Sequence, residues 1–121
     1  MEIVTEKVEV VTAGEAGAAI GSKKSRAMNG FLLDIKLDYH ASAPATTDVT
    51  ITDVDGNTIL TVSDSKTDGL FAPRQKLVDN AKADITNSHD RFAVNGTLNF
   101  AIAQCDALNP ALTATIRYLR L

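Results

Sequence analysis

Residues Ile51 to Leu60 read ITDVDGNTIL, and the residue types at Asp53, Asp55, Gly56 and Asn57 suit a calcium loop as well as a turn. Register separates the two readings. An EF-hand loop needs oxygen ligands ahead of its glycine and a bidentate Glu at its last position. Aligned on Gly56, the first and last ligand positions fall on Ile51 and Val62, and neither side chain ligates calcium. A two-residue loop at Asp55-Gly56 sets Ile51 opposite Leu60 and Val49 opposite Val62 instead, so that apolar meets apolar on one face. The stretch therefore predicts a hairpin with a type I′ turn, Asp55 and Gly56 both at positive φ. A calcium site of another kind, sharing Asp53 or Asp64, stays open as the alternative.

The same period of two continues outward in both directions. Val4, Val8 and Val10 share one parity near the N-terminus, with Glu6 as the exception, and predict a half-buried strand over Glu2 to Thr12. Phe31, Leu33, Ile35, Leu37 and Tyr39 alternate with Leu32, Asp34, Lys36 and Asp38, which predicts a long strand with that first set inward. Leu112, Ala114, Ile116 and Tyr118 predict a closing strand. Phe92, Val94, Gly96, Leu98, Phe100 and Ile102 also share a parity, and a tight hairpin at Asn95-Gly96 would split them between faces. A long strand kinked or bulged at Gly96, or a three-residue loop pairing Val94 with Leu98, keeps them together, and the kinked strand is preferred. Leu70 to Leu77, interrupted by Pro73, reads as an irregular edge strand.

The expected fold is all-β: one antiparallel β-sandwich, jelly-roll or Greek-key like. Residues 1–29 are read as an extended N-terminal strand or arm followed by a flexible Ala/Gly-rich connection, AGEAGAAIGSKKSRAMN, in which a short helix is also possible. Residues 30–121 are read as the sandwich proper. At 121 residues the chain is long enough to bury a core without metal or disulfide staples. No run of about 18 apolar residues is present, the N-terminus does not read as a signal peptide, and no membrane partner is expected. The net charge of −3 disfavours a phosphate backbone as partner, so no nucleic acid is expected.

Candidate chemistry is sparse. Cys105 is alone and reads as a small buried residue. GAAIGSKKS, Gly17 to Ser25, falls short of a phosphate loop because Ser22 separates Gly21 from Lys23. Ser88, His89 and Asp90 are consecutive and read as a polar turn, since sequence neighbours do not converge on one reacting atom. His40 and His89 lack zinc-ligand spacing. No catalytic, metal or cofactor residues are assigned, and an enzyme is not expected. Lys23, Lys24 and Arg26 form the one local basic cluster, suited to a partner's carboxylates. With Val4, Val8 and Val10 they make the candidate partner-binding set.

The run GFLLDIKLDYHASAPATTDVTITDVDGNTILTV, then TDGLFAPR and FAVNGTLNFAIAQCD, resembles small all-β virion proteins encoded among the head genes of tailed bacteriophages. The resemblance covers Gly30 to Leu121 and carries no catalytic residues. It implies a capsid decoration or cement protein on the virion surface, made in the host cytoplasm, with the major capsid protein as partner and self-association as a homotrimer. The Ala-rich segment before Gly30 departs from that pattern and leaves the shell-binding surface undetermined. A head-to-tail or tail structural protein is the nearest alternative. A carbohydrate- or cell-surface-binding module is the alternative of a different class, although Trp is absent and Tyr39 and Tyr118 are the only tyrosines.

Overall fold

The computed structural model describes residues Met1–Leu121 and is built from strands alone: β1 (Glu2–Val10), β2 (Ala19–Lys24), β3 (Met28–Tyr39), β4 (Asp48–Thr52), β5 (Thr58–Val62), β6 (Gly69–Phe71), β7 (Arg74–Val78), β8 (Asp84–Arg91), β9 (Ala93–Gly96), β10 (Asn99–Cys105) and β11 (Leu112–Arg120). One sheet has the order β1-β11-β3-β6, with β9 also on β3; the second has the order β2-β10-β4-β5. Every pair is antiparallel and the pairs are nested: β1 with β11, β2 with β10, β3 with β6 and β9, and β4 with β5. The chain is thus one long hairpin rolled upon itself, which is the jelly-roll solution rather than a simple Greek key. The strand pair of ITDVDGNTIL is the innermost of that nest.

The core lies between the two sheets. Val8, Val10, Leu32, Ile35, Leu37, Leu112, Ala114, Ile116 and Tyr118 meet Val49, Ile51, Ile59, Leu98, Phe100 and Ile102 in one apolar cluster. The closing strand has its expected alternation, and the inward parity of Val4, Val8 and Val10 is also as expected.

Five readings of the sequence change. In β3, Tyr118 pairs with Leu32 and Arg117 with Asp34, so Leu33 is an extra, bulged residue. The bulge exchanges parity, and the inward set becomes Met28, Leu32, Ile35, Leu37 and Tyr39, leaving Phe31 and Leu33 half-buried. Gly96 (φ +134°) is a corner at which the chain leaves β9 in one sheet for β10 in the other. Val94, Leu98, Phe100 and Ile102 all stay in the core, as a kinked strand requires, but the two halves belong to different sheets. Leu70 to Leu77 divides at Pro73 into β6 and β7, and Ser88-His89-Asp90 lies within strand β8 rather than in a turn. Strands β7 and β8 pair only with each other, as a ribbon whose residues are nearly all exposed.

The fifth change concerns residues 1–29. Ala13 to Asn29 is neither helical nor a loose connection. It holds a turn, then β2 on the flank of β10, then the start of β3. Ala13 and Ile20 exchange backbone hydrogen bonds of 2.9 and 3.0 Å. The Thr12 hydroxyl donates to the Asp106 carbonyl at 2.6 Å, and the Gly17 amide donates to Asp106 Oδ1 at 2.8 Å. The N-terminal strand likewise runs the full length of β11, from Glu2 opposite Arg120 to Val10 opposite Leu112.

On the outer face of the first sheet, Asp34 is 8% exposed and takes a bidentate pair from Arg117, Nε to Oδ1 at 2.8 Å and Nη2 to Oδ2. The Arg117 hydrogen bond holds the Asp34 pKa below its usual range; burial opposes this, and the charges of Arg117 and Arg74 add to it. A carboxylate whose pKa is lower folded than unfolded stabilises the fold above the unfolded value of about 3.9, and that stability is lost as the pH falls through the folded value. Replacing Asp34 by Asn should therefore cost about 1–2 kcal/mol at pH 7, Arg117 being half solvated. In urea denaturation across pH, the gap to wild type is expected to shrink below about pH 4; a gap constant with pH would refute this role.

Candidate functional site: the open flank between β1 and β2

β1 is the terminal strand of one sheet and β2 of the other, and the two edges run along the same flank of the sandwich. β1 is nine residues long and hydrogen-bonds to a neighbour only through β11, which leaves its outer row of backbone amides and carbonyls unpaired. Between the edges lies a groove of about 640 Å³, walled by Thr5 to Glu9 and Val11 on one side and Lys23 to Arg26 on the other.

The sequence explains why this flank is open rather than sealed. Glu6 has the inward parity of Val4 and Val8, yet it puts a carboxylate where a fourth apolar side chain would close the edge. Its side chain is 16% exposed, and Glu6 Oε1 lies 3.8 Å from Nε of Arg26, which reaches back from the far wall and is itself 89% exposed. An inward-pointing charge on an edge strand is a means of discouraging indiscriminate strand pairing. On the far wall, the Ser25 hydroxyl accepts from the Leu98 amide at 3.0 Å and donates to the Arg26 carbonyl at 2.8 Å, which fixes the end of β2. Lys7 approaches Glu9 at 4.0 Å, whereas Lys23 and Lys24 have no carboxylate within ion-pair range. The groove is thus cationic on balance in a chain of net charge −3.

The six residues singled out as a partner-binding set are brought to this flank in two different roles. Lys23, Lys24 and Arg26 line the groove with exposed side chains. Val8 (4% exposed) and Val10 (0%) are core residues, and Val4 packs half-buried against the core, so these valines present little side-chain surface; what β1 offers is mainly its backbone edge and its outward side chains. Their alternation with charged residues signals one-sided burial, and that signal does not distinguish a free arm from a sheet's edge strand.

Asp55 and Gly56 lie at the far tip of the β4–β5 pair. Val49 faces Val62 and Ile51 faces Leu60 as the register reading requires, but the loop differs. The Asp53 amide donates to the Asn57 carbonyl at 2.9 Å, the Gly56 amide to the Asp53 carbonyl at 3.1 Å, and only Gly56 (φ +85°) is left-handed. This is a three-residue loop with its glycine at the left-handed position, and the extra residue is absorbed by a bulge at Ile59. Asp53 Oδ1 accepts from the Asp55 and Asn57 amides at 3.0 and 2.8 Å, and Oδ2 accepts from Asn57 Nδ2 at 3.1 Å. Desolvation raises the Asp53 pKa, but these hydrogen bonds, led by Asn57, outweigh it and leave the group below its usual range. The Asp53 carboxylate is thus engaged in building the turn, and no three His, Cys, Asp or Glu side chains gather in a metal-binding arrangement.

Other candidate side chains are dispersed. Ser88, His89 and Asp90 alternate between the faces of β8, so they do not converge. His40 Nδ1 accepts from the Ser42 amide at 3.0 Å in a turn, and Cys105 is fully buried. Tyr39 (9% exposed) and Tyr118 (6%) face the core and form no aromatic platform; burial, then the charge of Asp68, pushes the Tyr39 hydroxyl up to about 12.

No protein-family model matches this chain, and no curated protein matches it. Among solved structures it is similar to an arginine-to-alanine variant of a family 29 carbohydrate-binding module, at 11% identity and TM-score 0.34, over 96% of this chain and 78% of the other. It is similar also to the virus-like particle of extra small virus from the giant freshwater prawn Macrobrachium rosenbergii, at 14% identity and TM-score 0.35, over 96% of this chain and 75% of the other. Likeness at these TM-scores carries no functional inference in either direction, and function has to be read from the chain's own surfaces.

If Glu6 guards the β1 edge, Glu6→Val completes an apolar inward row and removes the guard. The variant should remain folded, since the Arg26 left behind is exposed and the lost pair contributes at most about 1 kcal/mol. It should self-associate far more readily, as read by light scattering against concentration; a variant as dispersed as wild type would refute the guarding role.

Proposed function

We propose that this chain is a non-enzymatic virion structural protein, a capsid decoration or cement protein that binds the shell built by the major capsid protein. The observation that carries the proposal is the pairing of a long open strand edge with a cationic groove on one flank. An extended acidic segment of a shell subunit adds to β1 through main-chain hydrogen bonds, while its carboxylates meet Lys23 and Lys24. Such binding uses area and backbone rather than reactive groups, which suits a chain whose candidate nucleophiles, histidines and carboxylates are scattered or engaged in turns. The protein is made in the host cytoplasm and taken onto the capsid surface, where copies also associate with one another.

Removing Met1 to Ala13 is a poor test, because it strips Val8 and Val10 from the core. Lys23→Glu with Lys24→Glu leaves the core intact, both side chains being exposed. Wild type should cosediment with shells assembled from the major capsid protein encoded alongside it, and the double variant should bind at least about tenfold more weakly, with a smaller salt dependence. A wild type that does not bind shells, or a double variant that binds equally well, refutes the reading.

A further inference from the structure

Glu6 contributes little to the stability of the fold that holds it. It stands opposite the buried Ile116 and on the inward parity of Val4 and Val8, so its carboxylate gives up much of its solvation. Its one ion partner is Arg26, whose Nε lies 3.8 Å away, beyond hydrogen-bond reach, on a side chain that is 89% exposed. A pair so solvated stabilises by little. Guarding the β1 edge requires a charge at this position, but it does not require a cation to reach across and meet it. Arg26 follows β2 on the far wall, so the pair spans the groove.

The spanning contact has the same chemistry as the binding of an acidic segment. Four cations line the groove, Lys7, Lys23, Lys24 and Arg26, against two carboxylates, Glu6 and Glu9. Lys7 has Glu9 at 4.0 Å and Arg26 has Glu6, while Lys23 and Lys24 have neither. A segment that adds to β1 and sets carboxylates against Lys23 and Lys24 lies in the same groove as Arg26, which is two residues beyond Lys24 in the chain. A carboxylate of that segment and the carboxylate of Glu6 then compete for one guanidinium. The Arg26 side chain is almost wholly solvated, so it turns from one to the other without disturbing the core.

We infer that Glu6 is a built-in competitor for the groove's ligand, an autoinhibitory carboxylate that holds Arg26 until a carboxylate of the incoming acidic segment displaces it. This rests on the reading of the groove as a site for such a segment, and it adds Arg26 to Lys23 and Lys24 as a contact that Glu6 regulates. The test is a double-mutant cycle on the full chain: wild type, Glu6→Gln, Arg26→Gln and the two combined. Each is immobilised at low density, so that copies do not pair, with far-UV circular dichroism in solution as the folding control. The probe is poly-L-glutamate at pH 7, and shells assembled from the major capsid protein are the second analyte. Wild type should bind poly-L-glutamate, and Glu6→Gln should bind it roughly three- to fivefold more tightly, the effect of one solvated ion pair. In chains that carry Arg26→Gln, the same change at Glu6 should have little effect. The inference is overturned by a wild type that does not bind the probe, or by Glu6→Gln binding no more tightly. It is overturned equally by a gain as large without Arg26 as with it, which is plain repulsion by Glu6. A chain that shows the expected pattern with poly-L-glutamate but does not bind shells upholds the inference and refutes the shell reading, so the two fail separately.

Discussion

The structure depends on one constraint: the strands of the two sheets each have a single apolar face, and each must find the other sheet. Nested antiparallel pairing meets it for both sheets at once. The β4–β5 hairpin forms the innermost pair, β3 meets β6 and β9, β10 meets β2, and β11 meets β1. Each pair enters the roll with its apolar side inward only if the register inside it is correct, because a slip of one residue sends every side chain of a strand to the opposite face. The far register of ITDVDGNTIL, Val49 on Val62 and Ile51 on Leu60, is therefore a condition for what wraps around it.

Bulges and corners maintain the register where the plain period of two does not. Leu33 in β3, Ile59 in β5 and the stretch between Ile102 and Cys105 in β10 each add residues that the partner strand does not match. At Leu33 the consequence falls on the residues before it: the shift gives Leu32 the core position in place of Phe31, while Asp34 keeps its outward side and meets Arg117. Gly96 makes a comparable adjustment by backbone alone, passing the chain between sheets without turning Val94 and Leu98 out of the core.

What was legible in the sequence follows from this. Strands with an uninterrupted partner, β1 and β11, show clean alternation and were readable to within a residue or two. The hairpin's pairing was readable because apolar residues must face each other, whereas its loop type was not, because a bulge at Ile59 and a longer loop cancel in the register. β2 was hidden because an edge strand with Ala19 as its one core side chain has no apolar period to display. The β7–β8 ribbon was hidden for the stronger reason that it buries neither face, which leaves a strand indistinguishable from a polar turn. The basic cluster at Lys23, Lys24 and Arg26 was visible, but its setting was not, since the groove exists only once β2 stands beside β1.

The flank joins fold and function. Rolling the chain leaves β1 with one neighbour, Glu6 keeps that edge from closing or pairing at random, and Lys23 and Lys24 bias what approaches it. Amide hydrogen exchange along β1, in the free protein and on assembled shells, tests this most directly. In the free protein, alternate amides of β1 should exchange rapidly while those facing β11 are protected, and the rapid set should become protected on shells. Uniform protection along β1 in the free protein, or a rapid set unchanged by shells, would contradict the account.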